Sequence, residues 1–203
     1  NVRQIGEDIS AGDMILPSYS VLTPAAIGAL LESGVLAVEV ITQPMVGIIP
    51  TGNEIVPPTE NPHEGDIIES NSAIFSGMLQ EWGCKVRVYP PVGDSPDLIE
   101  AALRQALAEC DAVVLNAGSS AGRKDYSLDA IRKVGEVVLH GVAIKPGKPA
   151  ILAYAKSTDD NRVQPILGLP GYPVSGILVL EQLFRPVIEQ LTRRPAAKPQ
   201  RRR

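Results

Sequence analysis

The sequence predicts an α/β fold, with three α/β/α layers around a mostly parallel mixed sheet and a small β-rich segment in front of it. Between residues 43 and 191, short apolar runs with strand character alternate with longer runs of helical period. The helical run at 96–109 has a face of small apolar residues, which is typical of a helix that lies on a sheet. Strand patterns dominate residues 136–169, which favours one or two antiparallel neighbours in the sheet.

The chain is predicted to divide into three parts. With 203 residues, 44% of them hydrophobic, it is long enough for one domain of normal size and a smaller attached piece. Residues 1–42 are interpreted as the remnant of a small β-rich domain that cannot form a core alone, and the start without Met fits a fragment of a longer protein. Residues 43–191 form the α/β domain, and residues 192–203 form a basic, proline-rich linker.

The individual elements follow from local patterns. In the first segment, Pro24 opens a helix at 24–33 and Gly34 ends it. Short apolar runs bounded by turn residues predict the strands. These strands lie at 45–49, 86–89, 112–115, 137–139, 150–153 and 165–167. Runs of helical period predict the helices of the main domain, which lie at 70–81, 96–109, 128–134 and 174–191.

The net charge of −4 conceals an uneven distribution of charge. Six of the 19 basic residues lie at 193–203, so the rest of the chain has 13 basic and 23 acidic residues and a net charge of about −10. Such an acidic body repels the phosphate backbone of nucleic acids, and no nucleic-acid partner is expected. The basic segment is interpreted as a solvated linker toward a further domain.

Two further observations concern the compartment. The start is polar and no apolar run approaches the roughly 18 residues that a spanning helix requires, so a cytoplasmic protein without membrane contact is expected. Cys84 and Cys110 lack the spacing of metal ligands and lie beside apolar stretches. They are therefore predicted to be buried free thiols.

In parallel α/β sheets, ligands bind beyond the carboxyl ends of the strands, so the loops that follow the strands form the candidate site. The loop after the strand at 112–115 contains Gly118, Ser119, Ser120 and Gly122. Its amides and hydroxyls can donate to the oxygens of a phosphate. The same composition also fits an ordinary turn between two elements.

Three carboxylates lie in three different loops of this kind. Glu54 follows Thr51 and Gly52, Asp94 follows the second predicted strand, and Asp125 ends the glycine-serine loop. Carboxylates that converge bind Mg²⁺ through waters or act as general acid and base. Thr51 and Gly52 also fit a tight turn, and Asp94 also fits a helix cap.

A basic loop at 143–149 contains Lys145 and Lys148, with prolines on both sides of Gly147. The prolines stiffen the loop, so its lysines lose less conformational freedom when they bind an anion. An anion-binding loop is therefore predicted here.

The last loop contains Pro170, Gly171 and Pro173 and leads into a helix that has Ser175 in its first turn. The prolines fix the backbone, and the free amides at the start of the helix suit an anion. A rigid turn from strand to helix explains the prolines, but it does not explain why free backbone amides at the start of the helix lie next to them.

Taken in order, these motifs resemble the molybdopterin molybdenumtransferase family, whose members insert molybdate into adenylylated molybdopterin. The resemblance covers nearly the whole chain, and residues 1–42 resemble the small β-rich domain of the family. The matching motifs are Thr51-Gly52-Asn53-Glu54, Ser70-Asn71, Val92-Gly93-Asp94, residues 118–126, Lys145-Pro146-Gly147-Lys148-Pro149 and Leu169-Pro170-Gly171-Tyr172-Pro173-Val174-Ser175.

The resemblance implies a role for each charged residue. Glu54, Asp94 and Asp125 would lie around molybdate and Mg²⁺, with Asp94 and Asp125 as the metal ligands. Lys145 and Lys148 would bind the oxyanions of molybdate or phosphate. Mg²⁺ would thus be the cofactor, and molybdate and adenylylated molybdopterin would be the substrates.

The resemblance also implies the remaining contacts and the partners. Pro170 and Pro173 would shape the pterin pocket, and residues 118–122 would bind the phosphate side of the pterin-phosphate substrate. Because the family forms its cleft between subunits, a homodimer is expected, together with other proteins of molybdenum cofactor biosynthesis as partners. The fragment by itself is expected to be inactive.

The chain departs from the usual family pattern at several positions. Asn53 stands where the family usually has Asp, Ser95 where it has a second acid, and Tyr172 where it has Asn, and residues 118–121 differ from Gly-Gly-Val-Ser. The leading hypothesis is an Mg²⁺-dependent enzyme that inserts molybdate and releases AMP. The alternatives are a molybdopterin adenylyltransferase-like enzyme and a non-catalytic module that binds molybdate or pterin or acts as a scaffold.

Overall fold

The structure, a computed structural model, describes residues 4, 6–59, 61–116, 126–157 and 162–193. The strands in chain order are β1 (Met45–Pro50), β2 (Ile55–Val56), β3 (Ile67–Ile68), β4 (Lys85–Val88), β5 (Ala112–Asn116), β6 (Glu136–His140), β7 (Ile151–Lys156) and β8 (Val163–Leu169). The helices are α1 (Pro24–Glu32), α2 (Asn71–Glu81), α3 (Pro96–Glu109), α4 (Tyr126–Val134), α5 (Pro173–Val179) and α6 (Arg185–Thr192), with a π-helical turn (Leu180–Phe184) between the last two.

One six-stranded sheet forms the centre of the unit Gln43–Thr192, in the order β4-β1-β5-β8-β7-β6. The pairs from β4 to β8 are parallel, and β7 is antiparallel to both of its neighbours. Among these six strands, β7 alone therefore runs opposite to the others. The predicted mostly parallel mixed sheet with antiparallel pairing in its later part is confirmed.

Apolar side chains cover both faces of the sheet, because its central strands lie between two layers of helices. On one face, Val46 and Ile48 of β1 pack with Phe75 of α2 and with Phe184. On the other face, Ile49 of β1 packs in the cluster formed with α3 and α4. These two cores give the three α/β/α layers that the sequence predicts.

Helix α3 begins and ends at the predicted residues. Pro96 occupies the first helical position, where its fixed φ suits a helix and its missing N–H costs nothing, and Asp97 lies in the first turn. Ile99, Leu103 and Ala106 recur at helical spacing and are all buried. The helix thus lies with its apolar face on the sheet.

Two features of this unit differ from the prediction. The strands β2 and β3 form a separate two-stranded parallel sheet, which is too short to produce a hydrophobic period in the sequence. The helix predicted at 174–191 contains the π-helical turn Leu180–Phe184. A π turn needs one more residue per turn than an α-helix, and local composition gives no sign of it.

The residues before Gln43 belong to a separate, smaller unit. Its predicted helix is present as α1, with Pro24 at the first position and the hydroxyl of Thr23 accepting from the N–H of Ala26 at 3.2 Å. The expected β-rich character is wrong for the described residues 4 and 6–42, which contain turns and this helix but no strand. Gly6 and Gly12 have positive φ and end each short run before a strand can extend.

Two simpler expectations can be compared with the structure. Cys84 and Cys110 are both buried free thiols, as predicted. None of the helices in the described ranges is long and apolar enough to cross a membrane.

Candidate functional site

The candidate site lies at the strand-exit edge, which is the edge of the sheet at the carboxyl ends of β1, β4, β5, β6 and β8. Because only β7 runs in the opposite direction, the loops after the other strands all emerge at this edge. Ligands of open α/β sheets bind outside the carboxyl ends of the strands. The predicted site residues that the structure describes belong to these loops or to the elements that follow them.

The loops after β1 and β4 are joined to each other. Thr51 pairs with Val92, and the N–H of Gly52 donates to the carbonyl of Val92 at 3.0 Å. The side-chain Oδ1 of Asn53 then accepts from the N–H of Asp94 at 3.0 Å. Thr51 and Gly52 thus lie in a loop that is hydrogen-bonded to the loop of Asp94, and Asn53 fixes the backbone that carries the Asp94 carboxylate.

Gly52 is required by this geometry. Its φ of +146° is unfavourable for residues with a side chain, and an added Cβ would lie 2.7 Å from Cγ1 of Ile55. The same Cβ would lie 3.3 Å from the Glu54 carboxylate, so Glu54 folds back over the turn. Glu54 is also connected to the small sheet, since its carbonyl accepts from the N–H of Ile67 at 2.7 Å.

Two buried asparagines connect the exits of β5 and β8. The Nδ2 of Asn71, the first residue of α2, donates to the carbonyl of Gly171 at 2.8 Å and lies 3.4 Å from Oδ1 of Asn116. Asn71 is 8% exposed and Asn116 is 6% exposed. The set of Asn71, Asn116 and Gly171 is called the asparagine bridge below. Its short contact joins the start of α2 to the loop before α5, and its longer contact lies beside the end of β5.

The asparagine bridge also reaches β1. The carbonyl of Asn116 accepts from the N–H of Thr51 at 2.8 Å and from its hydroxyl at 3.2 Å. A chain of polar contacts therefore runs along the strand-exit edge from β1 to β8. Buried polar groups in such a chain rigidify the backbone that they join.

Sequence reasoning missed the asparagine bridge. Ser70 occupies the N-cap position of α2, but its side chain makes no capping bond. The carboxylate of Glu69 accepts from the N–H of Ser72 at 2.9 Å instead. Oδ1 of Asn71 and Oγ of Ser72 are buried without a hydrogen-bond partner. The resemblance to the motif Ser70-Asn71 was the one signal that marked this position.

The basic loop joins β6 to β7 and lies at the same edge. Gly147 is buried with a φ of +123°, and an added Cβ would lie 2.7 Å from Cγ2 of Val179 and 3.7 Å from the carbonyl of Ser175. The loop therefore packs against α5, which follows the loop of Pro170. The side chains of Lys145 and Lys148 are exposed on this packed loop.

The loop between β8 and α5 has a fixed backbone. Pro173 is the first residue of α5, and the carbonyl of Tyr172 accepts from the N–H of Gly176 at 2.9 Å. Ser175 is buried, whereas Tyr172 is 70% exposed. Pro170 and Gly171 precede it at the end of β8, so the predicted pocket residues are placed at the strand-exit edge.

Two of the three predicted acidic residues lie in the part of the chain that the structure describes. Glu54 is half-buried and Asp94 is exposed. Asp125, Gly118, Ser119, Ser120 and Gly122 lie outside the described residues, so their predicted roles stay predictions. Within the described ranges there is no group of three or more His, Cys, Asp or Glu side chains that could hold a metal ion.

Residues 47–190 match the family whose profile is described as "Probable molybdopterin binding domain". The chain belongs to this molybdopterin-binding domain family. The match covers the whole six-stranded sheet except the first two residues of β1, and it includes every loop of the strand-exit edge.

Relatives of this family domain resemble the chain over almost all of its length. The molybdopterin molybdenumtransferase of Haemophilus influenzae is 33% identical over 191 residues, which are 94% of this chain and 46% of that protein. The crystal structure of the molybdopterin biosynthesis moeA protein from Pyrococcus horikosii is 30% identical with a TM-score of 0.82, covering 93% of this chain and 46% of that chain. The chain thus spans about half the length of these relatives, and the predicted resemblance is confirmed.

A smaller protein shares the fold alone. The tungsten cofactor synthesizing protein MoaB from Pyrococcus furiosus is 15% identical with a TM-score of 0.55 and covers 74% of this chain and 98% of that one. The same α/β architecture therefore also occurs in a protein that it covers almost completely.

Proposed function

We propose that the chain is part of an enzyme of molybdenum cofactor biosynthesis. The enzyme transfers molybdenum from molybdate to the dithiolene of adenylylated molybdopterin and releases AMP. The observation that carries this proposal is the likeness to the molybdopterin molybdenumtransferase of Haemophilus influenzae along 94% of this chain. The relatives from Haemophilus influenzae and Staphylococcus aureus are both named molybdopterin molybdenumtransferase, which favours the transferase over an adenylyltransferase-like enzyme.

The lysines of the basic loop support an anionic substrate. Lys145 and Lys148 are exposed on a loop that is packed against α5 through Gly147. A lysine on a fixed backbone loses less freedom when it binds an oxyanion than a lysine on a flexible loop does. In the proposal, Lys145 and Lys148 bind the oxygens of molybdate or of the phosphate groups.

The carboxylates Glu54, Asp94 and Asp125 would act on the same anionic substrate. Asp94 is exposed, and Asn53 fixes its backbone. Carboxylate oxygens suit a hydrated Mg²⁺ ion, and Asp94 and Asp125 are the proposed ligands. When bound, Mg²⁺ would neutralise the charge of the phosphate oxygens. Glu54, half-buried beside Gly52, would orient the substrate or accept a proton.

The remaining residues would form the walls of the substrate cleft. Pro170, Gly171, Pro173 and Ser175 would contact the pterin, since the asparagine bridge fixes the loop that carries them. Thr51 and Gly52 form the neighbouring wall at the exit of β1. The phosphate side of the substrate would lie on residues 118–122.

The proposal extends to the assembled protein. A homodimer that works in the cytoplasm beside other proteins of molybdenum cofactor biosynthesis fits the family resemblance. The chain spans only 46% of its relative from Haemophilus influenzae, so the activity and ligand-binding experiments below use the full-length protein.

The test is an incubation of the full-length protein with adenylylated molybdopterin, molybdate and Mg²⁺. We expect AMP and molybdenum cofactor to form together, and omission of molybdate to abolish cofactor formation. Failure of both products to form would reject the proposal. Formation of adenylylated molybdopterin from ATP and molybdopterin would instead identify an adenylyltransferase, and tight binding without turnover would identify a binding module.

A further inference from the structure

Tyr172 lies at the centre of the strand-exit edge with its ring turned to the outside. It follows Gly171 in the loop after β8 and is 70% exposed. Val174, two residues further, is 63% exposed. A single exposed apolar residue needs no explanation, but here an aromatic ring and a second apolar side chain flank Pro173 at the edge where a ligand would bind.

The backbone under the Tyr172 ring is fixed on both sides. The carbonyl of Gly171 accepts from Asn71 at 2.8 Å, and the carbonyl of Tyr172 accepts from Gly176 at 2.9 Å. Gly176 itself lies so close to α2 that an added Cβ would be 2.4 Å from Cζ of Phe75. On such a backbone, only the two side-chain torsions of the ring need to be ordered when it contacts a ligand.

Tyr172 does not stabilise α5 through a side-chain cap. It occupies the N-cap position of that helix, and its side chain makes no capping hydrogen bond. Ser, Thr, Asp and Asn are the residues that stabilise this position, because their oxygens accept from the free N–H groups of the first turn. A tyrosine here forgoes that stabilisation while presenting an aromatic surface to solvent.

We propose that Tyr172 stacks on the planar heteroaromatic ring of the substrate. Aromatic side chains bind nitrogen heterocycles by stacking without a need for specific hydrogen bonds. Adenylylated molybdopterin offers two such rings, the pterin and the adenine, each linked to phosphate. The inference rests on the proposed function for this pair of rings, and Tyr172 would be the residue that selects a flat ring at this edge.

The experiment measures binding of two probes to the full-length protein by calorimetry. The probes are AMP, which contains only the adenine ring, and a 6-substituted pterin phosphate, which contains only the pterin ring. They therefore show which of the two rings Tyr172 contacts. Tyr172→Leu and Tyr172→Asn are expected to lower the affinity for one of the two probes about tenfold. This loss lies within the range found when an aromatic side chain that stacks on a base is removed. Tyr172→Phe keeps the ring and is expected to bind that probe within about twofold of the wild type. For the pterin, quenching of its fluorescence on binding is expected to be smaller in Tyr172→Leu.

A control variant removes an exposed apolar side chain elsewhere. Val138 of β6 is 60% exposed and is not part of a strand-exit loop, so Val138→Thr is expected to leave both affinities unchanged. Thermal unfolding of every variant checks that α5 is intact.

Three results would overturn the inference. If Tyr172→Leu binds both probes as tightly as the wild type does, the Tyr172 ring contributes nothing to binding, and the proposed function is unaffected. Equal losses in Tyr172→Phe and Tyr172→Leu assign the effect to the hydroxyl. Unchanged binding together with a smaller oligomer in gel filtration places the ring at a subunit contact. If neither probe binds the wild type, both the inference and the proposed function lose their support.

Discussion

Substitution of Asn71 by Ala would remove the donor of the asparagine bridge. The carbonyl of Gly171, which Asn71 contacts at 2.8 Å, would lose its partner, whereas the contact of 3.4 Å with Asn116 is too long to contribute much. The carbonyl of Gly171 is half-buried, so its loss of a donor is expected to cost about 1.5 kcal/mol, in the lower part of the range of about 1–3 kcal/mol for a buried acceptor without a partner. The substitution also removes the buried Oδ1 of Asn71, which has no hydrogen-bond partner, and this offsets part of the loss, so a net loss of about 1 kcal/mol is expected.

The assay is urea unfolding of the chain, followed by the fluorescence of its single tryptophan. Trp82 is buried at the end of α2, so it reports on the helix that Asn71 begins. Ser72→Ala is the matched control, because the Ser72 hydroxyl is buried without a partner. Its removal is expected to leave stability unchanged or to raise it. If Asn71→Ala unfolds within about 0.5 kcal/mol of the wild type, or if both variants lose the same amount, the reasoning is refuted.

Further predictions concern packing and pH. Gly176→Ala places a Cβ 2.4 Å from Phe75 and is expected to cost about 1–3 kcal/mol in urea unfolding. The control is Gly77→Ala, whose added Cβ meets nothing within 4 Å, and it is expected to stabilise α2 by up to about 1 kcal/mol. If both substitutions changed the free energy of unfolding in the same direction, this account would be contradicted. The Tyr89 hydroxyl and then the Arg87 guanidinium lower the pKa of Glu109 below its ordinary value of 4.5. Its contribution to stability is therefore present above about pH 4.5 and lost as the pH falls through the lowered pKa. Glu109→Gln is expected to flatten this part of the profile of unfolding free energy against pH, and an unchanged slope would show that the three side chains are not coupled.

The fold could be predicted because its signals are local. Pro96 and the buried positions Ile99, Leu103 and Ala106 define α3 without reference to the rest of the chain. The strands β1 and β5 are short runs that are buried almost throughout, as expected for the centre of a parallel sheet. By contrast, β2 and β3 have two residues each and exist only because they pair with each other.

The candidate site could be predicted in its position but not in its internal contacts. The topology brings Thr51, Asp94, Lys145 and Pro170 to one edge, and the motifs of the loops already indicated this. The asparagine bridge depends on the burial of Asn71 and Asn116, and a buried asparagine has the same sequence pattern as a cap or a turn residue. Contacts between residues 45 and 100 positions apart have no local signal at all.

The β-rich expectation for the first segment failed for a similar reason. Strands are stable only with a partner, and the sequence pattern of a short run does not show whether a partner is within reach. In residues 6–42 the described elements are α1 and turns, and α1 buries none of its residues. The turns were predicted correctly there, but the short segments between them do not form the strands that were expected.

The central claim is that the lysines of the strand-exit edge act on the anionic substrate. The most direct measurement is single-turnover AMP release from adenylylated molybdopterin by the full-length protein, with molybdate and Mg²⁺ present. Lys148→Ala is expected to slow release at least about tenfold, since one charge-assisted contact is worth roughly 1.5–3 kcal/mol. Lys85→Ala, which removes an exposed lysine at the start of β4, is expected to match the wild type. Equal rates for Lys148→Ala, Lys85→Ala and the wild type would contradict the account.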